Sequence, residues 1–583
     1  MASSIDPKES ERFRQFLAAD WFRWLSEYPE LATAVGHPGF NDRWTDDSAT
    51  GRETRQRHLT ELATALPGFA ASSLGTAERF DLELYRRLVD NAVAGLAFGF
   101  DPLPFELGEP ANLWMPLNQM DGLHLTAASI LDQAPKDRPQ DFDDRIARLT
   151  ALPAAVDHLL SALSDGVRRG YTPPRIPLTQ VPEQIQNLIP DDPMASGLLV
   201  NFRELPTSFG PSTNDRLRRE ARAAYLDHVR PAFEKLHRYV AGEYVPHCRT
   251  SVGASALPDG ARMYEYLARR NTTTDLTPAQ IHAMGLAEVE RLRAEMERIM
   301  RSTGFTGSFA EFTEFLRTDP RFYWHSPEEI VDGYRVLGKR TDPALPRLFG
   351  RLPRLPYGVL PVPAFRERAS PGAYYQSGAP SVGRPGYFYA NTFDIGTRPK
   401  WEMEALSLHE AVPGHHLQIA IAQELEGLPH YRRETGPTAF IEGWGLYAES
   451  LGEELGFYTD PYSRFGQLGF DAWRSIRLVV DTGIHALGWS RDRAIEFFRE
   501  NTGMSLAGIS VEVDRYIVWP GQALGYKIGQ LKFRELRGWA ESKLGARFDV
   551  RAFHDLLLGE GPLPLETVEQ RVHRWADAIS AGA

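Results

Sequence analysis

Leu408-His409-Glu410-Ala411-Val412-Pro413-Gly414-His415-His416-Leu417-Gln418 gathers three of the chain's sixteen histidines into eight residues, with a glutamate directly after the first. Imidazoles and a carboxylate at that density point to a bound metal ion. Apolar residues on both flanks recur at helical spacing, so the stretch reads as a helix interrupted at Pro413-Gly414. A straight helix could not do the work. The position six residues after His409 points about 120° away, and the position seven residues after it lies about 10 Å along the axis. Proline removes a backbone donor and glycine permits unusual dihedrals, so a break here could return His415 or His416 to the face of His409.

Helical patterns extend outward in both directions. Downstream they cover 400–425, 437–455, 463–488, 490–500, 513–544 and 549–558, and upstream 8–28, 52–66, 75–98, 139–168, 215–242 and 278–301. In the first of the upstream helices Phe13, Phe16, Leu17, Trp21, Trp24 and Leu25 make a core stripe that Pro29 ends. The last begins at a capping box, Thr277 with Gln280, and has Pro278 at its first position. Residues 102–118 and 171–215 are rich in Pro, Gly, Ser and Asn and read as irregular connections. Proline recurs too often in 351–363 for a helix, and the aromatic runs Tyr374-Tyr375 and Tyr387-Phe388-Tyr389 suggest short strands in a small antiparallel sheet. A strand edge beside a metal helix can receive an extended substrate, which makes Tyr375 and Arg384 candidate substrate contacts. The expectation is a mainly α chain, one intertwined unit over 1–583, with a helical N-terminal part (1–350) and a metal-site part (351–583).

Composition narrows the function. The formal charge is −12 and the isoelectric point near 5.8, which disfavours nucleic acid and anionic membranes as partners. A single cysteine, Cys248, allows neither an internal disulfide nor a thiolate metal site. The N-terminal residues lack a basic segment followed by an apolar run, and no stretch approaches eighteen uncharged apolar residues. The expected setting is the cytoplasm, without a membrane partner.

Zinc in hydrolases takes three protein ligands and a water. His409 is the first candidate. The Gly-His ending favours His415 as the second, with His416 as the alternative. Glu442, an acid in the apolar run Ala439-Phe440-Ile441-Glu442-Gly443-Trp444, is the third. Glu449, seven residues further along the same face, reads as a surface acid, with a group that orients a ligand as the alternative. Glu410 then suits a general base acting on a bound water. Downstream, Arg477, Asp481 and His485 share a helix face, with His485 a candidate catalytic group. Gln522, Tyr526 and Lys527 around Pro520-Gly521 offer donors for an oxyanion or a substrate carboxylate. A His₂-carboxylate set also suits non-haem Fe(II), although Glu410 has a use in hydrolysis and none in oxygen chemistry.

The motifs YY (374–375) with GRPGYFYANT (383–392), HEAVPGHHLQ (409–418), FIEGWGLYAE (440–449), RLVVDTGIH (477–485), YIVWPGQALGYKIG (516–529) and FHDLLL with GPLP (553–564) together resemble the bacterial domain-of-unknown-function 885 family. That family looks related to helical gluzincin peptidases of the thermostable-carboxypeptidase and angiotensin-converting-enzyme type. The resemblance implies a two-lobed helical fold around a deep cleft and zinc on His409, one of His415 and His416, and Glu442, with Glu410 as catalytic base. By analogy Tyr526 would stabilise the oxyanion, and Lys527, Gln522 or Arg477 would hold a carboxylate. The expected activity is cleavage of short peptides from the C-terminus. Hydrolysis of an amide in a peptide-like small molecule is the near alternative.

Overall fold

The computed structural model describes residues 6–363, 367 and 370–582. The first five residues, on which the reading of the N-terminus partly rests, lie outside them. The chain is mainly α, with one small sheet.

Most helices lie where apolar periodicity puts them, including Pro7–Glu27, Ala49–Ala65, Pro139–Arg169, Pro278–Ser302 and Pro461–His485. The capping box at Thr277 forms as written, with Thr277 Oγ1 accepting from the Gln280 N–H and Gln280 Oε1 accepting from the Thr277 N–H. Two expected helices are each broken in two. The span 400–425 becomes Met403–Glu410 and His415–Gln423, and 513–544 becomes Leu506–Val518 and Leu524–Leu544. Both breaks fall on a Pro-Gly pair. Shorter helices at Leu123–Gln133, Gly260–Thr272, Phe309–Thr318, Pro327–Thr341 and Leu565–Ala581 were not expected.

The sheet is mixed and not antiparallel. Strand β1 (Tyr357–Pro361) runs parallel to β3 (Gly386–Ala390), and β2 (Ala373–Gln376) runs antiparallel to it, in the order β1-β3-β2. The proline-rich segment that cannot be helix supplies β1, and its Pro361 sits on an edge strand, where a missing N–H is tolerated.

Two helix pairs frame the metal stretch. Thr438–Ser450 crosses Leu524–Leu544 with backbones in contact: a Cβ on Gly443 would lie 2.5 Å from Gly529 Cα, and one on Gly529 would lie 1.9 Å from Ala439 O. Pro278–Ser302 packs along Pro461–His485. The main core draws on both sides of residue 350, joining Leu84, Ala268 and Ile281 to Leu408, Phe440, Trp444 and Phe533. Pro139–Arg169 is long and apolar enough by composition to cross a bilayer, but its stripe of Phe142, Leu149, Leu152, Val156 and Leu163 is packed into a second core.

Candidate metal centre

His409 lies in the last turn of the helix Met403–Glu410, and His415 starts the next. Between them the chain reverses so tightly that a Cβ on Gly414 would lie 1.9 Å from His409 O, so only glycine fits. Trp444 Nε1 donates to Pro413 O at 2.9 Å and pins the break to the Glu442 helix. The reversal brings the imidazoles together, ring centroids 4.7 Å apart and nearly perpendicular. Glu442 Oε2 faces both, 3.6 Å from His409 Nε2 and 3.4 Å from His415 Nε2. Among the described residues this is the one group of three or more His, Cys, Asp or Glu whose ligand atoms converge, all within 4.8 Å of one another.

His416 faces away. Its ring packs on Tyr357, and its Nδ1 is 2.9 Å from the Tyr375 hydroxyl. Burial pushes it down to about 4, so it is a neutral side chain of the sheet interface.

The triad is held from behind. Glu449, expected at the surface, has no exposure, and its Oε1 sits 2.8 Å from His409 Nδ1. This carboxylate–imidazole pair directs Nε2 toward Glu442, as carboxylates behind metal-binding histidines do. Gly445, one turn beyond Glu442, makes room for the ring: a Cβ there would stand 2.8 Å from His409 Cε1. His409 thus lies across the helix face formed by Glu442, Gly445 and Glu449.

The donor set fits a divalent ion such as zinc. Two Nε2 atoms and one carboxylate oxygen converge, and that oxygen, Glu442 Oε2, is buried without a hydrogen-bond donor among the described residues. Burial opposes charge on Glu442, but His415 and His409 hold its carboxyl well below the usual range. Burial likewise opposes charge on His409, yet Glu442 and Glu449 raise it to about 9, so an ion entering the triad displaces a proton there.

Glu410 lies beside the triad without joining it. Its Oε2 accepts from the Tyr375 N–H at 2.9 Å, and burial raises its carboxyl, opposed by His409 and His415. Tyr526 lies nearly parallel to His409, with centroids 6.4 Å apart. Arg515 donates to the Tyr526 hydroxyl at 3.1 Å and to Gln522 Oε1 at 3.0 Å. Tyr526 therefore accepts from Arg515 and keeps its own proton to donate. Arg515 forms no ion pair among the described residues and stands directly before the 516–529 motif, a functional position that the sequence reading missed.

Several expected contacts lie elsewhere. Lys527 has no exposure and is bound by Asp471 at 2.5 Å and Glu288 at 2.9 Å, so it cannot hold a substrate carboxylate. His485 is also fully buried. Its Nδ1 accepts from the Ala254 N–H and its Nε2 donates to Tyr516 O, a neutral tautomer joining two segments, and it is not catalytic. Arg384 is committed to the carbonyls of Ala34 and Gln133, tying the strand region to the N-terminal helices. Arg477 is buried behind Tyr526, 4.4 Å from its ring, and is paired with Glu512 and Tyr516, which makes it a support for the phenol. Gln522 serves Arg515. Tyr375 does lie at the site, through its N–H on Glu410 and its hydroxyl on His416.

Residues 29–572 match the family described as "Bacterial protein of unknown function (DUF885)". The chain belongs to the DUF885 family. Among solved structures, a Colwellia psychrerythraea protein described as a "putative lipoprotein" superposes with TM-score 0.91 at 25% identity, over 98% of this chain and 99% of that one. A Shewanella oneidensis protein, described as a "putative lipoprotein of unknown function", shares the fold at TM-score 0.65 and 17% identity, over 96% and 99% of the two chains. No curated protein matches this DUF885 chain.

Proposed function

We propose that the chain is a metal-dependent hydrolase of amide bonds, with zinc as the expected ion and short peptides as the expected substrates. The observation that carries the reading is a division of labour among three acids. Glu442 converges with His409 and His415, Glu449 braces His409, and Glu410 stays beside the triad, its Oε2 accepting from the Tyr375 N–H. A carboxylate next to the triad but outside it is what a general base requires. A divalent ion there would polarise the substrate carbonyl and acidify a water. Glu410 takes a proton from that water as its oxygen adds to the carbonyl carbon. When the C–N bond breaks, Glu410 returns the proton to the leaving nitrogen. The Tyr526 proton, freed by the Arg515 donation, stabilises the oxygen that gains charge. Arg515, half-buried and in no salt bridge among the described residues, replaces Lys527 as the group suited to an anionic substrate end. The kinship with gluzincin carboxypeptidases that the motifs suggest agrees with this chemistry and belongs to the proposal.

The same three donors would suit Fe(II), and metal analysis of the purified protein separates the two ions. The decisive test is Glu410→Gln on peptides blocked at either terminus. The expected result is retained metal with kcat reduced by at least about 10²-fold. Full activity in that variant would remove Glu410 as the base, and an absence of hydrolysis from every metal-loaded sample would remove the hydrolase reading. A cytoplasmic setting is the reading from sequence. The lipoprotein descriptions of the two structural neighbours favour a membrane-anchored setting instead, and fractionation of native cells decides between them.

A further inference from the structure

The irregular loop 102–118, which the hydrolase reading leaves unused, lines a cavity of about 470 Å³. Its other walls come from Tyr28, Trp44, Tyr266, Arg270 and the segment Ile517–Pro520. The lining is largely apolar, and it carries six aromatic side chains, six acids and three arginines. Four of these are satisfied: Asp101 by the Tyr28 hydroxyl, Asp121 by Trp519 Nε1, Glu30 by Thr45 and Asp47 by Arg55.

Glu106 and Glu109 are not. Glu106 is 5% exposed, and neither of its carboxylate oxygens has a hydrogen-bond partner among the described residues. Glu109 Oε1 is equally alone, and Oε2 has only a long contact, 3.5 Å, from Asn271 Nδ2. No described cation pairs with either. Arg270 donates to Gly108 O, and Arg249 to the carbonyls of Thr172, Ser251 and Gly253. Burial pushes Glu109 up to about 7 against the pull of Arg270. Buried carboxylates without partners are costly and are kept where something else completes them. A cation would, and the aromatic faces among the walls, Tyr28, Trp44, Tyr266 and Trp519, favour one as well. A metal ion is disfavoured, because no third ligand converges there among the described residues.

A chain of side-chain contacts links the cavity to the triad. Trp519, which lines it, stacks on the Arg515 guanidinium, 5.3 Å from Cζ to ring centroid. Arg515 donates to Tyr526, and Tyr526 lies against His409. A substrate with its amide at the triad and an anionic group at Arg515 would extend past Trp519 into the cavity.

We propose that this cavity binds an organic cation, the ammonium or guanidinium group of the substrate, through Glu106 and Glu109. The substrate class is then an amide or peptide bearing a basic group, a refinement that rests on the hydrolase reading.

The test separates the two. Calorimetry on the full chain stripped of metal compares phenethylamine with phenethyl alcohol, its neutral counterpart. The amine is expected to bind at least about tenfold tighter, the scale of a charge-assisted contact. Glu106→Gln should cut that preference to about twofold or less, and Glu109→Gln should weaken it. Glu106→Gln should also melt no lower than the parent chain, because it removes an unpaired charge. Equal affinity for the two probes, a preference that survives both substitutions, or a Gln variant that melts several degrees lower or fails to fold would each overturn the proposal. With metal restored, benzoyl-glycyl-lysine should be hydrolysed at higher kcat/KM than benzoyl-glycyl-norleucine, and Glu106→Gln should erase the difference. Amine binding without hydrolysis of either peptide would sink the hydrolase reading and leave the cation site standing. Equal hydrolysis of both peptides would sink the cation site as part of this substrate path.

Discussion

Glu449 has no solvent contact, and its Oε1 meets His409 Nδ1 at 2.8 Å, so its cost of burial is offset by what it does for the imidazole. It fixes the tautomer with Nε2 free, orients the ring against Gly445 and raises the basicity of the ligand. Arg474 Nη2, at 3.5 Å, and the Tyr458 hydroxyl on the Glu449 carbonyl hold it in turn. Glu449→Ala should therefore weaken zinc binding by about 10–100-fold without changing the number of ions bound. Glu449→Gln, which keeps an acceptor for Nδ1–H and drops the charge, should fall between. Competition against a chromophoric chelator measures both, and an Ala variant with parental affinity would leave His409 needing no brace. The sequence carried half of this. The seven-residue spacing from Glu442 to Glu449 puts both on one helix face. Burial could not be read, because it depends on helices that arrive from elsewhere. Lys527 shows the same limit in the opposite sense. It looked like a free donor beside a Pro-Gly break, yet its partner Asp471 lies 56 residues away and Glu288 on a third helix. Lone charges in sequence acquire partners only in three dimensions.

Helices with strong periodicity and caps were legible as elements, and so were the two Pro-Gly interruptions, since local sterics decide them. The direction of the sheet was not legible. Strand β1 is an edge in a proline-rich run, and whether it pairs parallel or antiparallel depends on how the chain returns to β3. The metal break is the most local of these devices and the least replaceable. Ala411 and Gly414 close the reversal with ψ of −116° and −129°, and the space at Gly414 is filled by the carbonyls of Leu408 and His409. Adding a methyl forces that backbone apart. Gly414→Ala should destabilise the chain by about 2–4 kcal/mol, the range for a side chain driven into close-packed backbone, and should abolish stoichiometric zinc even in protein that remains folded. Gly427→Ala, where a Cβ would meet nothing within 4 Å and only the positive φ of 82° is at stake, should cost about 1 kcal/mol and keep its metal. Chemical denaturation with metal analysis of the native fraction reads both quantities, and parity between the two variants would mean that the reversal is not what aligns His409 with His415.

The triad spans only residues 409 to 442, but the molecule that holds it together is assembled from the whole chain. The Glu442 helix is set by its glycine crossing with Leu524–Leu544, Lys527 on that helix is locked by Asp471 and Glu288, and Arg384 ties the strand region back to Ala34 and Gln133. Unfolding separates the three proposed ligands on three helices, so an ion held by them would have high affinity for the native chain alone. Zinc at a hundred times its dissociation constant should then add about 2.7 kcal/mol of stability. A chain of 583 residues with several cores need not unfold in one step, so the quantity to compare is the shift in the transition that carries the 403–450 region, followed by hydrogen exchange of its amides. Glu442→Ala and His409→Ala should lose that shift, whereas His416→Gln, altered on the sheet side of the break, should retain it. A zinc-dependent shift of parental size in Glu442→Ala would mean that the ion binds elsewhere. Loss of the shift in His416→Gln with retention in His415→Gln would exchange the roles of the two adjacent histidines.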